Sequence, residues 1–383
     1  MENKWELLES SNEEREKIWR KNRTFAGDVW FRFRHKPTAI AGLVLIVALL
    51  AFAFIGPYFT KYSYSNQNLD VVNIPPRMTV YVTKDESGYL YITQSLKVLW
   101  VNRDGTLGEQ LPRLREEADS SMIIFDCNGE EVGLYYGITP YLIADPETRV
   151  IYETETVWNK SYILGTDSLG RDILTRLMYG TRVSLLVAFV AVAVNLVIGI
   201  VFGGISGYAG GMVDTVMMRI VDIISTIPLT LYVILIMVLM GAGIQSIIIA
   251  LGTTYWVDMA RVVRGQVLSL KNQEFVMAAR TIGSSTKTIL LEHLIPNAMG
   301  SILVTVTMLI PSAIFMEAFL SYLGIGLQPP LASLGTMCND ATENLRTCPY
   351  QLFIPAAVIC LIMFGFNFIG DGLRDALDPK LKK

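Results

Sequence analysis

Long charge-free runs of apolar residues recur along the chain and are separated by polar stretches. A run of about 20 such residues is long enough for a helix to cross the hydrocarbon core of a bilayer. The run at 223–257 is too long for one span, and the break Gly241-Ala242-Gly243 divides it into two. The pattern therefore predicts six transmembrane helices, the first at 38–59 and the other five within a core at 183–371.

A different pattern fills the stretch at 60–164, between the first two apolar runs. Residues that favour strands alternate with polar residues, as in RMTVYV and GYLYITQ, and turn signals such as DESG and NRDG separate the runs. Asn128-Gly129 is typical of a two-residue hairpin turn. The sequence thus predicts an all-α polytopic membrane protein that carries a β-rich insert between its first two spans.

The stretch at 165–182, just before the second span, has the pattern of an amphipathic helix. Leu169, Ile173 and Leu177 recur at helical spacing, and Asp167 is a candidate N-cap residue. We expect this helix to be separate from the second span and to lie at the membrane surface.

Composition agrees with a membrane protein, because 52% of the residues are hydrophobic and 17% are charged, whereas soluble domains carry about 25% charged residues.

The distribution of charges along the chain predicts how the protein is oriented in the membrane. Nineteen Lys and Arg residues fall on one side of the predicted membrane, and the short loops on the other side carry only Arg346. Since positive loops face the cytoplasm, the N-terminal segment 1–37 and the tail 372–383 are predicted to be cytoplasmic.

The insert at 60–164 is then extracellular. It carries nine Lys and Arg residues and fifteen Asp and Glu residues, an excess of negative charge that favours solubility or contact with an external partner. Arg171, Arg176 and Arg182 fit the orientation badly, because they stand on the outer side close to the second span.

The stretch at 258–296, between the fourth and fifth spans, contains two predicted short helices. Ala278-Ala279 leave one face of the first helix nearly bare of side chains, and Gly283 can end that helix with a positive φ. The second helix runs towards Pro296, which prevents it from continuing unaltered into the fifth span. A bare face lets another protein approach the helix backbone closely. An amphipathic connector packed on its own bundle is the alternative.

This stretch resembles the cytoplasmic coupling loop of permease subunits of bacterial ABC importers, whose general pattern is EAA---G---------I-LP. Met277 departs from that pattern, and the departures resemble the branch that imports dipeptides and oligopeptides. Segments before the second span, at 317–337 and in the tail resemble the same branch. The resemblance implies an ATPase-docking loop whose residues are Glu274, Val276, Ala278, Ala279, Arg280, Gly283, His293 and Pro296.

The resemblance implies a permease of the type I importer kind in the bacterial plasma membrane, forming half of a pathway for peptides. The implied partners are a homologous second permease, two cytoplasmic ATPases that bind ATP and magnesium, an extracellular peptide-binding protein, and membrane lipid. We expect no catalytic residue, cofactor, metal site or nucleic-acid partner for this chain. Arg171-Asp172 stand where a phosphate loop requires Lys and a hydroxyl residue, and the only histidines are His35 and His293.

Two alternatives remain open from the sequence. The first is the same architecture with nickel or another small solute as its cargo. The second is a membrane sensor whose β-rich ectodomain binds a ligand.

Residues near the outer end of the fifth span are further candidates. Glu317 is a carboxylate in an otherwise uncharged stretch, and intramembrane carboxylates are costly and usually functional. It is a candidate for the pathway or for contact with the second permease, and Gly324 and Gly326 follow it in the resembling motif. Cys338 and Cys348 fall in one outer loop, where they form a disulfide or remain two free thiols.

Overall fold

The computed structural model describes residues 24–137, 139–145, 150–328 and 330–377, so parts of both predicted terminal segments lie outside it. Short 3₁₀ turns at Gly56–Phe59 and Leu69–Val71 follow the second helix, and a π-helical turn at Ile289–Leu294 follows the ninth. The helices are α1 (Phe25–Arg34), α2 (Pro37–Phe54), α3 (Ile173–Ala209), α4 (Gly211–Thr226), α5 (Leu229–Met240), α6 (Ile244–Thr254), α7 (Trp256–Leu270), α8 (Glu274–Thr281), α9 (Thr286–Thr288), α10 (Ile295–Tyr322), α11 (Leu334–Asp340) and α12 (Tyr350–Leu377).

The segment between α2 and α3 forms two five-stranded antiparallel sheets, in the orders β10-β1-β2-β3-β4 and β5-β6-β7-β8-β9. The predicted β-rich segment is therefore present in the fold. Its strands are β1 (Arg77–Val82), β2 (Gly88–Ile92), β3 (Val98–Asn102), β4 (Leu107–Gln110), β5 (Arg113–Glu117), β6 (Met122–Cys127), β7 (Glu130–Tyr135), β8 (Tyr141–Asp145), β9 (Val150–Ile151) and β10 (Thr154–Trp158).

Alternation of apolar and polar residues explains these strands. In β1, Met78 and Val80 are fully buried, whereas Arg77 faces solvent, because successive side chains point to opposite faces of a sheet. The predicted turn at Asn128-Gly129 is also present, and both residues have a positive φ, as a type I′ turn requires.

Five helical segments are long and apolar enough to cross a membrane: α2, α3, α6 with α7, α9 with α10, and α12. The pair α4 and α5 provides a sixth only if the two helices count as one span, because they are bent by 84° at Ile227–Pro228. The residue before a proline favours extended backbone, and Ile227 has φ −81° and ψ 122°. The structure thus has five such segments, or six with the bent pair, where the sequence predicts six.

Several predicted boundaries are wrong. The separate surface helix at 165–182 does not exist, because α3 begins at Ile173 and runs without a break into the second span. Its N-cap is Asp172, whose carboxylate accepts a hydrogen bond from the Thr175 amide at 2.8 Å, and not Asp167. Burial raises the pKa of the Asp172 carboxyl. The helix α12 extends to Leu377, into the predicted tail at 372–383.

A row of glycines lets α3 lie directly against α7. Gly199, Gly203 and Gly207 are one helical turn apart on the same face of α3. A Cβ atom placed on Gly203 would lie 2.3 Å from the Ala260 carbonyl oxygen and 2.9 Å from Val263. Helices inside membranes pack closely where small residues remove side chains from the contact. We call this contact the glycine seam.

The N-terminal end of α3 is held by buried charges. Arg171 Nε donates to Asp167 at 2.7 Å and its Nη2 donates to Asp340 at 3.0 Å. Arg176 also donates to both carboxylates, with Nη2 at 3.0 Å from Asp340. The two arginines and Asp167 are almost fully buried, so each charge depends on its partners. These four residues, the buried charge network, join the start of α3 to α11.

A buried polar cluster joins the insert to the outer end of α12. The Gln351 side chain donates to the Asn73 side-chain oxygen at 2.8 Å and to the Thr166 carbonyl at 2.9 Å. Tyr350 donates to the Ile74 carbonyl at 3.2 Å. Because these groups are shielded from water, losing one partner would leave another buried and unpaired. The insert is therefore firmly seated on the helices.

Replacing Gly203 with Ala is expected to separate α3 from α7 and to lower the free energy of unfolding by about 1–3 kcal/mol, as overpacking does. Gly265, in α7, is the matched control because a Cβ atom there meets nothing within 4 Å. Gly265→Ala should leave stability unchanged or raise it by about 0.5–1 kcal/mol. Equilibrium unfolding in mixed micelles measures both, and equal effects would contradict the glycine seam.

Replacing Asp167 with Asn removes a carboxylate that serves two buried guanidinium groups. We expect a loss of about 3–5 kcal/mol in the free energy of unfolding, the usual result of breaking a buried ion pair. Glu116→Gln, which breaks an exposed pair with Arg113, should cost at most about 1 kcal/mol. A similar small loss for both variants in the same unfolding assay would show that the network contributes little.

Candidate functional site

The short helix α8 presents two different faces. Val276 and Ala279 are three residues apart and both are buried, with Ala279 4% exposed, among the apolar residues of the main helical core. Glu274, Ala278 and Thr281 lie on the opposite, exposed side. Residues three or four apart share a helix face, so this arrangement follows from the spacing of Val276 and Ala279.

The prediction that Ala278 and Ala279 together form a bare outer face is therefore wrong for one of the two. Ala279 packs against its own bundle, as the alternative for this stretch supposes, and Ala278 remains on the surface. An alanine at this buried position lets α8 lie close to the bundle, because only a methyl group separates the two.

Sequence reasoning missed the apolar residues that surround Ala278. Phe275, Met277 and Ile282 are exposed, Ile282 by 84%. Together with Glu274, Ala278 and Thr281 they form what we call the outer face of α8. The signal was present in the sequence, because a helix with Val276 and Ala279 inside must direct Phe275 and Met277 elsewhere.

Gly283 ends α8 as predicted. Its φ is +83°, the Gly283 amide donates to the Arg280 carbonyl, and the Ser284 amide donates to the Ala279 carbonyl, both at 3.0 Å. These two bonds form a Schellman motif, which favours glycine at the residue with positive φ. Ser285 then caps α9 through its hydroxyl, which accepts from the Thr288 amide at 3.2 Å.

The helix α8 contacts the C-terminal end of α3 and follows closely after α7. The Arg280 guanidinium, predicted as a docking residue, lies 5.3 Å from the centre of the Tyr208 ring on α3. Arg264 on α7 donates two hydrogen bonds to Asp214 on α4, each at 2.6 Å. Lys271 donates to the Gly207 carbonyl at 2.9 Å. A force on α8 would therefore reach two long helices at once.

The second half of the stretch joins the long helix α10 through the π-helical turn. Pro296 lies in the first turn of α10, where proline is tolerated because an amide hydrogen at that position has no partner within the helix. The wider π-helical turn at Ile289–Leu294 directly precedes it. His293 lies within that turn, and its carbonyl accepts from the Asn297 side chain at 2.6 Å.

The Glu317 side chain faces the interior of the helical bundle and not its surface. Its side chain is fully buried, and its two carboxylate oxygens accept hydrogen bonds from Ser184 at 2.6 Å and from Ser321 at 2.9 Å. The prediction of a pathway or inter-subunit contact is therefore wrong for this residue. Its hydrogen bond with Ser184 joins α10 to α3. A buried carboxylate is tolerated where it is hydrogen-bonded in this way.

Gly324 and Gly326 have structural roles near Glu317. Gly324 has φ +77° and ends α10 in a second Schellman motif, in which the Ile325 amide donates to the Leu320 carbonyl at 3.2 Å. Gly326 is buried, and a Cβ atom there would lie 2.3 Å from the Ser321 hydroxyl. Gly324 is exposed and remains a candidate for contact with a partner.

The predicted disulfide between Cys338 and Cys348 is absent, and both residues are buried free thiols. The two cysteines have different surroundings. Burial and the nearby Glu317 raise the pKa of the Cys338 thiol to about 11, so it stays protonated. Cys348 instead contacts Gln94 of the insert, with Nε2 and Sγ 3.8 Å apart.

Comparison with known proteins identifies the family. Residues 199–383 match the model of the binding-protein-dependent transport system inner membrane component, and residues 24–76 match the N-terminal TM domain of oligopeptide transport permease C. The chain is 40% identical to the oligopeptide transport system permease protein OppC of Bacillus subtilis, over 96% of this chain and 94% of that protein. The chain belongs to the family of binding-protein-dependent transport permeases.

Two further relatives named as dipeptide and oligopeptide permeases agree with this assignment. This permease is 35% identical to the dipeptide transport system permease protein DppC of Bacillus subtilis, over 98% of this chain and 92% of that protein. It is 47% identical to OppC of Escherichia coli, over 57% of this chain and 72% of that protein. The solved inward-facing methionine transporter MetNI matches 53% of this chain and 96% of its own, at 20% identity and a TM-score of 0.44.

The chain is thus a multi-pass permease subunit of a bacterial ABC importer, and membership of this family implies partner ATPase and permease subunits. The family is the membrane component of such systems and is not itself catalytic. The resemblance inferred from the loop, the segment before the second span and the tail is confirmed.

The two alanines of α8 should respond differently to the same change. Ala279→Arg forces a charge into the apolar core, so we expect a loss of at least about 2–3 kcal/mol in the free energy of unfolding. Ala278→Arg, the matched control, should change it by less than about 0.5 kcal/mol. Unfolding curves in mixed micelles test this, and equal losses would contradict the orientation of α8.

Proposed function

We propose that this permease forms half of a transmembrane pathway that imports dipeptides or oligopeptides, with energy from separate ATPase subunits that dock on the outer face of α8. The cargo assignment is supported by relatives named as oligopeptide and dipeptide permeases that match nearly the whole chain. The observation that carries the docking assignment is the exposed apolar outer face at a family-specific loop.

The chemistry of the outer face suits a protein partner. Phe275, Met277 and Ile282 expose apolar surface around the small side chain of Ala278, and Glu274 adds a charge at one end. Exposed apolar groups next to a small residue favour insertion into a groove of another protein. We propose ATP and magnesium binding for the partner subunits only, so that hydrolysis takes place outside this chain.

The mechanical connections support transmission of movement from the docking site. The helix α8 follows α7 after three residues, and α7 is held on α3 by the glycine seam. Closely packed elements move as rigid units rather than deforming. When the ATPases close, a displaced α8 would therefore carry α7 and α3 with it and change which side of the membrane the pathway opens to.

The proposed orientation places α1, α8 and the end of α12 in the cytoplasm and the two sheets outside, in agreement with the distribution of Lys and Arg. On the outside, a peptide-binding protein would deliver the cargo to a mouth bordered by the insert and α11. A homologous second permease would cover the exposed apolar side chains of α5, such as Leu231, Leu235 and Val238.

The alternatives are less well supported. A membrane sensor does not fit a chain that belongs to a permease family over nearly its full length. Nickel or another small solute fits the architecture, but the relatives that match most of the chain carry peptide permease names.

The test combines assembly and transport in proteoliposomes that contain this permease, its partner permease, both ATPases and the binding protein. Ala278→Arg should reduce ATP-dependent uptake of a radiolabelled peptide by about tenfold or more, equivalent to about 1.4 kcal/mol of lost contact, and weaken ATPase co-purification. Arg346→Ala, in an outer loop, is the control. Normal uptake and ATPase retention in Ala278→Arg would exclude docking at this face.

A further inference from the structure

A cleft of about 340 Å³ lies where two helices are interrupted. One wall is the break between α4 and α5, with Ser225, Ile227 and Pro228, and the other is the junction of α6 and α7, with Tyr255, Asp258 and Arg261. Its volume falls at the lower end of the range for small-molecule sites. Irregular backbone within a membrane protein is tolerated where it is enclosed by protein or lines an aqueous cavity.

Asp258 and Arg261 line this cleft and Asp222 lies beside it, so the charges of this cluster do not balance. The Arg261 guanidinium lies 3.4 Å from the Asp222 carboxylate and 3.7 Å from the Asp258 carboxylate, and it donates to the Ser225 hydroxyl at 2.6 Å. One cation thus serves two carboxylates. Asp258 is the less tightly held of the two, its side chain is 69% exposed, and it lines the cleft, whereas Asp222 lies outside the lining.

The backbone adds further acceptors. Helix α4 ends at Thr226, and carbonyl groups at a helix C-terminus carry partial negative charge. Ser225 and Ile227 from this end line the cleft. Apolar side chains, among them Ile224 and Leu229, form the rest of the wall. The cleft therefore offers one excess carboxylate, nearby carbonyl oxygens and an apolar surface.

We propose that this cleft binds the N-terminal ammonium group of the transported peptide at Asp258, with the first side chain of the peptide against the apolar wall. A primary ammonium group donates three hydrogen bonds and would neutralise the excess charge, while Arg261 stays paired with Asp222. The inference rests on the proposed peptide cargo. It identifies the part of the peptide that this half of the pathway recognises.

The test uses the assembled transporter with its partner permease and ATPases in nanodiscs, without the binding protein. The probes are trialanine and N-acetyl-trialanine, and calorimetry measures their dissociation constants. Asp258→Asn should weaken trialanine binding by about tenfold or more and leave the weaker binding of the acetylated probe unchanged. Glu116→Gln is the control, because it removes an exposed carboxylate that neither lines the cleft nor contacts Arg261, and it should retain trialanine binding.

The outcomes separate this site from the proposed function. If Asp258→Asn and Glu116→Gln bind trialanine as the unaltered complex does, or lose binding equally, the site is excluded while peptide transport stands. The same holds if the acetylated probe binds the unaltered complex as tightly as trialanine. If the unaltered complex with its binding protein imports no peptide, the cargo assignment fails and the site fails with it.

Discussion

The close contact between α3 and α7 is the constraint on which the rest of the membrane domain depends. Three glycines remove side chains from this contact, so the backbones of two long helices approach until the Ala260 carbonyl fills the space of a missing methyl group at Gly203. Because α7 continues almost directly into α8, the position of α8 is set by this contact. The bond from Lys271 to Gly207 holds the same two helices together near their C-terminal ends, and the ion pair between Arg264 and Asp214 joins α7 to α4.

The N-terminal end of α3 is held by charged and polar side chains and not by small residues. Arg171 and Arg176 share Asp167 and Asp340 in a region almost without water. Buried ion pairs contribute little net stability compared with apolar packing, but they are costly to break and therefore specify one arrangement. The insert joins the same region through Gln351.

Local signals in the sequence predicted much of this fold. Gly283 and Asn128-Gly129 were recognisable because positive φ favours these residue types, and the apolar runs indicated nearly all the membrane helices. Long-range pairing was invisible. Arg171 and Arg176 do not fit the orientation rule because they pair with a buried network and not with the cytoplasm. One of their partners, Asp340, is more than 160 residues away in the chain. Ala279 was misplaced because its environment is set by the core and not by its neighbours in the chain.

The π-helical turn before Pro296 has a consequence for movement. Such a turn holds about one residue more than an α-helical turn and is rare in proteins, and here it directly precedes the long helix α10. Bending concentrated there would let the segment before α10 tilt relative to this helix. The long helix α10 would keep its packing, and the strain from each ATP cycle would be taken up by the π-helical turn.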